Sequence, residues 1–445
     1  MSQPHLLYLA FFFPPSRASG VYRAVGTVRA FVEAGWRVTV ITTTERFFAD
    51  EFGSIDASLI DAVPKEADIV RVPFSFRETN TPPVHEMGWF RGNFPLLVAS
   101  MARGARRLRS RWSVRRARST ESTQMDDRYT SWIEPVVARS RQIHATNRID
   151  HVLATGNPYS SFEAARIIAG GAGVGYTIDY RDPWAFDMRT GTEAKRSPAT
   201  RIAEERIVSQ ASSCVQVNDA IAEAYRRLFP LDAAKQHVVM NGFDPETIPP
   251  ARGPYTGGPL NFGMLGTVTD LWPLGPIFEA WSTLRPLLPE GSMLRLGGYL
   301  GYFERNVDGL SSALPSRADG FIYQGPVPHA KVADFYADLD VIVVPLFGGS
   351  MVTAGKLFEV AATGRPFVCV QPSVGGGRRL LERHPFGFAA DPEAAQIAGA
   401  LKAAANLSME VTSDRVLEVR QAAAVYERQA LLAEMVDIVV SGAAR

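Results

Sequence analysis

Short apolar runs alternate along the chain with segments whose apolar positions recur every three or four residues, the mark of strands alternating with amphipathic helices. The run over 6–13 predicts a buried first strand, and 14–20 reads as a loop. Helical periodicity over 21–34 then gives way, after Gly35 and Trp36, to a second strand over 37–43, which completes a βαβ unit. Similar pieces follow: strand 151–154, helix 162–170, strand 175–180, helix 199–211 and strand 213–217. Residues 245–259 are too rich in Pro and Gly to continue either element, so a domain boundary is expected there. The alternation then restarts with strand 260–265, helix 274–287, strands 293–297 and 321–324, helix 329–337, strand 341–345, helix 355–363 and strand 366–370. The pattern predicts an α/β chain of two doubly wound, Rossmann-like domains facing each other across a cleft. The loops after Phe13, Ala154, Tyr180, Leu265 and Pro345, at the carboxyl ends of strands, would line that cleft.

Composition narrows the class. A chain of 445 residues, 46% hydrophobic and 21% charged, has enough apolar surface for two or three folded domains and is not disordered. The 47 Lys and Arg against 46 Asp and Glu leave a net charge of +1, too even for a protein that grips a nucleic-acid backbone. Cys214 and Cys369 stand apart from each other and from any His at zinc spacing, so no disulfide framework or finger is expected and a reducing, cytoplasmic setting fits. No run approaches about twenty apolar residues, so membrane contact would be peripheral, at the inner face. The segment 79–127 interrupts the first domain with Arg103, Arg106, Arg107, Arg109, Arg111, Arg115, Arg116 and Arg118. Phe94, Leu97, Met101, Ala105, Leu108 and Trp112 keep helical spacing, so the arginines over 93–118 would decorate an amphipathic helix. Its polar face is either simply solvated or a rest for anionic lipid or an acidic acceptor.

The sharpest candidate chemistry lies over 344–366. A strand ends, a loop of small residues follows, and a helix opens near Thr353, Gly355 and Lys356, presenting free N–H groups and a positive dipole end. Lys356 adds a point charge, and Glu359, one turn on, has the right chemistry to accept from the two vicinal hydroxyls of a ribose. Phosphate plus ribose indicates a nucleotide; the alternative is an ordinary crossover with both side chains solvated. Arg181 and Asp182, beside Trp184, lie at a strand's carboxyl end, either as a structural ion pair or as cleft chemistry. The seven histidines show no paired spacing, and no metal is expected.

The pattern Lys356-Leu357-Phe358-Glu359 followed by Gly364 and Pro366 resembles the donor-binding segment of retaining glycosyltransferases of the GT-B fold, of the family 4-like kind. The segments around Gly20 to Ala24, Asn157 to Ser160, Asp179 to Trp184, Asn241 to Asp244 and Tyr426 to Arg428 resemble the same group in the same order. The resemblance covers nearly the whole chain except the arginine-rich insert. It implies an acceptor domain over 1–245, a nucleotide-sugar domain over 246–415, and a terminal helix over 416–445 that returns to the first domain. On the donor side it implies Gly266, Thr267, Gln324, Val327, Thr353, Gly355, Lys356 and Glu359, with main-chain groups near Gln324 and Val327 meeting the base. On the acceptor side it implies Gly20, Arg23, Asn157, Tyr159 and Trp184, with Asp182 and Arg181 as catalytic candidates. Three departures stand out. Met351 occupies a position where relatives often carry Glu, the loop after Leu265 lacks a basic residue, and Asn157-Pro158-Tyr159 replaces a loop that often holds His. The implied activity is transfer of a hexosyl or N-acetylhexosaminyl group from a nucleoside-diphosphate sugar, UDP favoured, to a glycan, lipid-linked or small-molecule acceptor. No permanently bound cofactor is implied. A nucleotide-sugar epimerase and a non-catalytic sugar-binding subunit are the alternatives.

Overall fold

The computed structural model describes residues 3–52, 55–74, 125–269, 271–301, 307–346, 348–372 and 375–443. The expectations for the arginine-rich helix over 93–118 lie outside them.

The first domain is a seven-stranded sheet in the order β3-β2-β1-β4-β5-β6-β7. Its strands are β1 (His5–Leu9), β2 (Arg37–Thr42), β3 (Asp68–Arg71), β4 (His151–Gly156), β5 (Gly175–Tyr180), β6 (Ser213–Gln216) and β7 (Gln236–Val238). The second is a six-stranded sheet in the order β10-β9-β8-β11-β12-β13. Its strands are β8 (Asn261–Leu265), β9 (Met293–Gly297), β10 (Phe321–Gly325), β11 (Val341–Pro345), β12 (Phe367–Val370) and β13 (Gly387–Ala390). Every pairing is parallel. Both chains of strands start in the middle, run to one edge, then return and run to the other. The topological switch point therefore falls between β1 and β4 in one sheet and between β8 and β11 in the other, where doubly wound sheets hold ligands.

Strands buried on both faces read as continuous apolar runs, and β1 and β11 are buried at every position. The expected strand over 6–13 is shorter than its apolar run. The ladder ends at Leu9, and Phe11 leaves the sheet to sit among Phe47, Phe74, Tyr129 and Trp132, edge-to-face with ring centroids at 5.4, 5.5, 4.8 and 4.9 Å. The last helix, Arg428–Ala443, lays Leu432, Met435 and Val439 into the first domain's core beside Val28 and Phe31. Among the described residues no helix is long and apolar enough to cross a membrane.

Candidate functional site

On the second domain's side the cleft wall is mostly backbone. Gly266 follows β8, and Gly298 follows β9 with its N–H donating to Gly325 O at 2.7 Å. Gly298 has φ +126°, and a Cβ there would lie 1.9 Å from Gly266 O, so only glycine lets the two loops approach this closely. Thr267 is half-buried, Gln324 is exposed and Val327 packs partly into the cluster containing Leu265 and Phe335.

After β11 the chain passes through Gly348–Thr353 into the helix Gly355–Ala362. Its N-cap, Ala354, has no side-chain oxygen to satisfy the first N–H groups, so the helix start is uncapped. Lys356 Nζ stands 2.7 Å from Glu359 Oε1, which also accepts from Tyr336 O–H at 2.7 Å. Two donors thus fix the carboxylate one turn above the helix start. Tyr22, from the first domain, stacks on His329 of the second with centroids 5.1 Å apart. Burial, and next the charge of Glu359, push the Tyr22 hydroxyl up to about 12, which keeps it a neutral hydrogen-bonding group in the cleft.

The opposite wall is built from side chains. Arg181 Nε donates to Gly156 O at 2.7 Å and Nη2 to Asn157 O at 3.0 Å. Gly20 lies flush against that guanidinium: a Cβ there would fall 1.2 Å from Arg181 Nη1. Tyr159 stacks face to face on Trp184, 4.8 Å apart and 10° from parallel, and its O–H donates to Asp182 O at 3.2 Å. Gly20, Asn157, Tyr159, Arg181, Asp182 and Trp184 therefore form one surface. Burial raises the Asp182 carboxyl above the usual Asp range, with Arg181 opposing the shift.

Behind this wall lies a buried network that the sequence did not reveal. The Tyr225 hydroxyl oxygen accepts from Trp184 N–H at 2.9 Å and Ala185 N–H at 3.0 Å. Its O–H donates to Glu204 Oε1 at 2.8 Å, as does Tyr180 O–H at 3.0 Å, and Arg196 pairs with the same carboxylate. These bonds fix the backbone of the loop that carries Asp182.

Arg23 is not on the cleft wall. Only 2% exposed, it is paired with the equally buried Asp179 at 2.8 Å, donates to Met240 O at 3.1 Å, and shares Asp179 with Thr155 O–H. A buried carboxylate on β5 needs a full set of donors, and Arg23 and Thr155 supply them. Met351 is also placed unexpectedly. It crosses the cleft and packs into the first domain's core. Asn218, the N-cap of the helix Asp219–Leu228, meets it there.

Two doubly wound parallel sheets with paired switch points make this the GT-B architecture. The Glycosyl transferase 4-like domain family matches residues 20–242, half of the chain, and the chain belongs to that family. No curated protein matches it. Among solved structures, a glycosyltransferase from Rickettsia africae superposes with a TM-score of 0.64 at 11% identity, covering 99% of both chains. Sucrose-phosphate synthase from Thermosynechococcus elongatus gives 0.63 at 13%, again over 99% of both. Anabaena HepE in complex with UDP gives 0.61 at 12%, over 98% of this chain and 99% of that one.

Proposed function

We propose that the protein transfers a hexosyl or N-acetylhexosaminyl group from a UDP-sugar to a hydroxyl or amine of a glycan, lipid-linked or small-molecule acceptor, with retention of anomeric configuration and without a metal ion. One observation carries the reading: the start of Gly355–Ala362 has no side-chain cap and holds Lys356 and Glu359 beside it, while Gly349 N–H, in the loop that leads into it, donates to Met188 O, four residues past Trp184. UDP is favoured because HepE was solved with UDP and with UDP-glucose, and a lipid-linked glycan acceptor suits the likeness to WaaB, a lipopolysaccharide outer core galactosyltransferase.

In this reading the second domain binds the donor. Its N–H groups and Lys356 stabilise the negative charge that grows on the diphosphate as the bond to the anomeric carbon breaks. Glu359 accepts from the ribose hydroxyls, and main-chain groups around Gln324 and Val327 meet the base. The first domain presents the acceptor beside Gly20, Asn157, Tyr159 and Trp184. The acceptor oxygen or nitrogen forms the new bond on the face the diphosphate leaves, its proton passes to the departing phosphate oxygen, and UDP carries away the electron pair. Asp182 orients the acceptor group, or takes up its proton where the phosphate does not.

The test is calorimetry with UDP, GDP and TDP, followed by mass spectrometry of a nucleotide-sugar panel for slow hydrolysis, with and without EDTA. UDP binding and EDTA-insensitive release of sugar are expected. Rearranged nucleotide sugar without acceptor would make the protein an epimerase, and binding without any turnover would make it a binding subunit. Loss of activity in EDTA, restored by magnesium, would overturn the metal-free site.

A further inference from the structure

The loop that leads into the Gly355–Ala362 helix is held from the other side of the cleft. Gly349 N–H donates to Met188 O at 3.0 Å, and a Cβ on Gly349 would lie 2.7 Å from Arg189 O, so the two backbones touch. Two residues on, Met351 is buried in the first domain.

Asn218 completes this contact with both halves of its amide. It is the N-cap of the first-domain helix Asp219–Leu228, its Oδ1 accepting from Ile221 N–H at 2.8 Å. Because the oxygen must face that N–H, the NH₂ group is turned outward. There it donates to Met351 O at 3.2 Å and to Thr353 Oγ1 at 3.3 Å, both in the second domain. A hydroxyl that accepts from an amide keeps its own proton to donate, and Thr353 stands just ahead of the uncapped helix start.

We propose that Asn218 is a positioning residue for donor binding. It clasps the Gly348–Thr353 loop to the first domain, and so fixes both the closed spacing of the cleft and the orientation of the Thr353 hydroxyl toward a diphosphate. The inference rests on the reading of that helix start as the diphosphate site. It extends that reading by making donor affinity depend on a residue of the opposite domain.

The test separates the cap from the clasp. Asn218→Asp keeps a cap of equal quality but puts a carboxylate against Met351 O, while Asn218→Ser keeps a cap and lacks the reach. Both should raise the Kd for UDP about tenfold, as expected for losing a buried hydrogen-bonding contact. They should also enlarge the radius of gyration in solution scattering, with thermal unfolding close to that of the parent. UDP affinity within twofold of the parent in both variants would overturn the proposal, as would an unchanged radius of gyration in both. If the parent itself fails to bind UDP, the diphosphate reading falls instead, and the scattering still decides whether the clasp exists.

Discussion

The two domains share the strand order that creates a switch point, yet they finish it in opposite ways. After β4 the helix Ser160–Ala172 begins against the chain's own carboxylate, Ser160 N–H donating to Asp127 Oδ2 at 2.6 Å. After β11, the equivalent strand of the second sheet, the helix Gly355–Ala362 has no side-chain cap. The start of the Val21–Glu33 helix, next to β1, meets a cation instead, Arg181 pressed against Gly20, whereas the loops after β8 and β9 meet each other through glycines. A helix start attracts an anion wherever it occurs. At Ser160 the first domain supplies that anion itself, as Asp127, while at Gly355 the second supplies none from a capping side chain. The same fold thus yields one wall whose helix start meets a carboxylate of its own and another whose helix start has no side-chain cap.

The comparison breaks most severely at Arg23. Arg23→Met would leave Asp179 buried without its cation and should cost roughly 3–5 kcal/mol of folding stability, measured by chemical denaturation. The folded fraction should still bind UDP with the parent's affinity; parallel loss of UDP binding would show that the two walls are not independent.

On the open wall the order of effects reverses. Glu359→Ala should weaken UDP binding by roughly 1.5–3 kcal/mol while thermal unfolding changes little. Lys356→Ala should lower UDP affinity and leave uridine binding nearly unchanged, because in the proposed donor site its charge meets the phosphates. Equal losses for UDP and uridine would mean that the lysine acts through its bond to Glu359.

A smaller effect is expected from Asp127→Ala, which opens the first domain's capped helix. It should cost about 1–2 kcal/mol of stability, the range for losing an N-cap, with no change in UDP affinity.

The mildest test is pH. Burial raises the Asp182 carboxyl, so it takes up a proton at higher pH than an ordinary Asp. An acid that binds its proton more tightly when folded adds stability as pH falls through its raised value and loses it as pH rises, while activity that needs the carboxylate moves the other way. Turnover should therefore fall on acidification above the usual Asp range, and Asp182→Asn should flatten that limb at reduced rate.

The central strands were legible because they are buried on both faces and bounded by Gly, Pro or polar residues. The edge strands β3, β7 and β13 were not: Asp68-Ile69-Val70-Arg71 and Gln236-His237-Val238 are too short and too polar to carry a period, and pairing with a neighbour makes them strands. In the candidate site, the placing of Lys356 and Glu359 one turn apart at the start of a helix could be read because local spacing sets it. Arg23 misled because its fate depends on Asp179, far away in sequence, whose burial no local pattern records. Asn218 was not singled out at all, since only the assembled cleft brings Met351 and Thr353 to it.

The chain crosses between the domains twice, and the crossings are tied together. Phe243 and Glu427 pair as a one-residue parallel bridge, with Phe243 N–H on Tyr426 O at 3.0 Å and Arg428 N–H on Phe243 O at 2.8 Å, and the Arg428 side chain reaches Asp244 at 2.8 Å and Asn241 O at 2.5 Å. Mechanically this is a door hung on two pins rather than a weight on a string. Two linked tethers restrain twisting and sliding more than a single strand would and leave swinging as the softer motion, the one motion left for the Asn218 contact to limit.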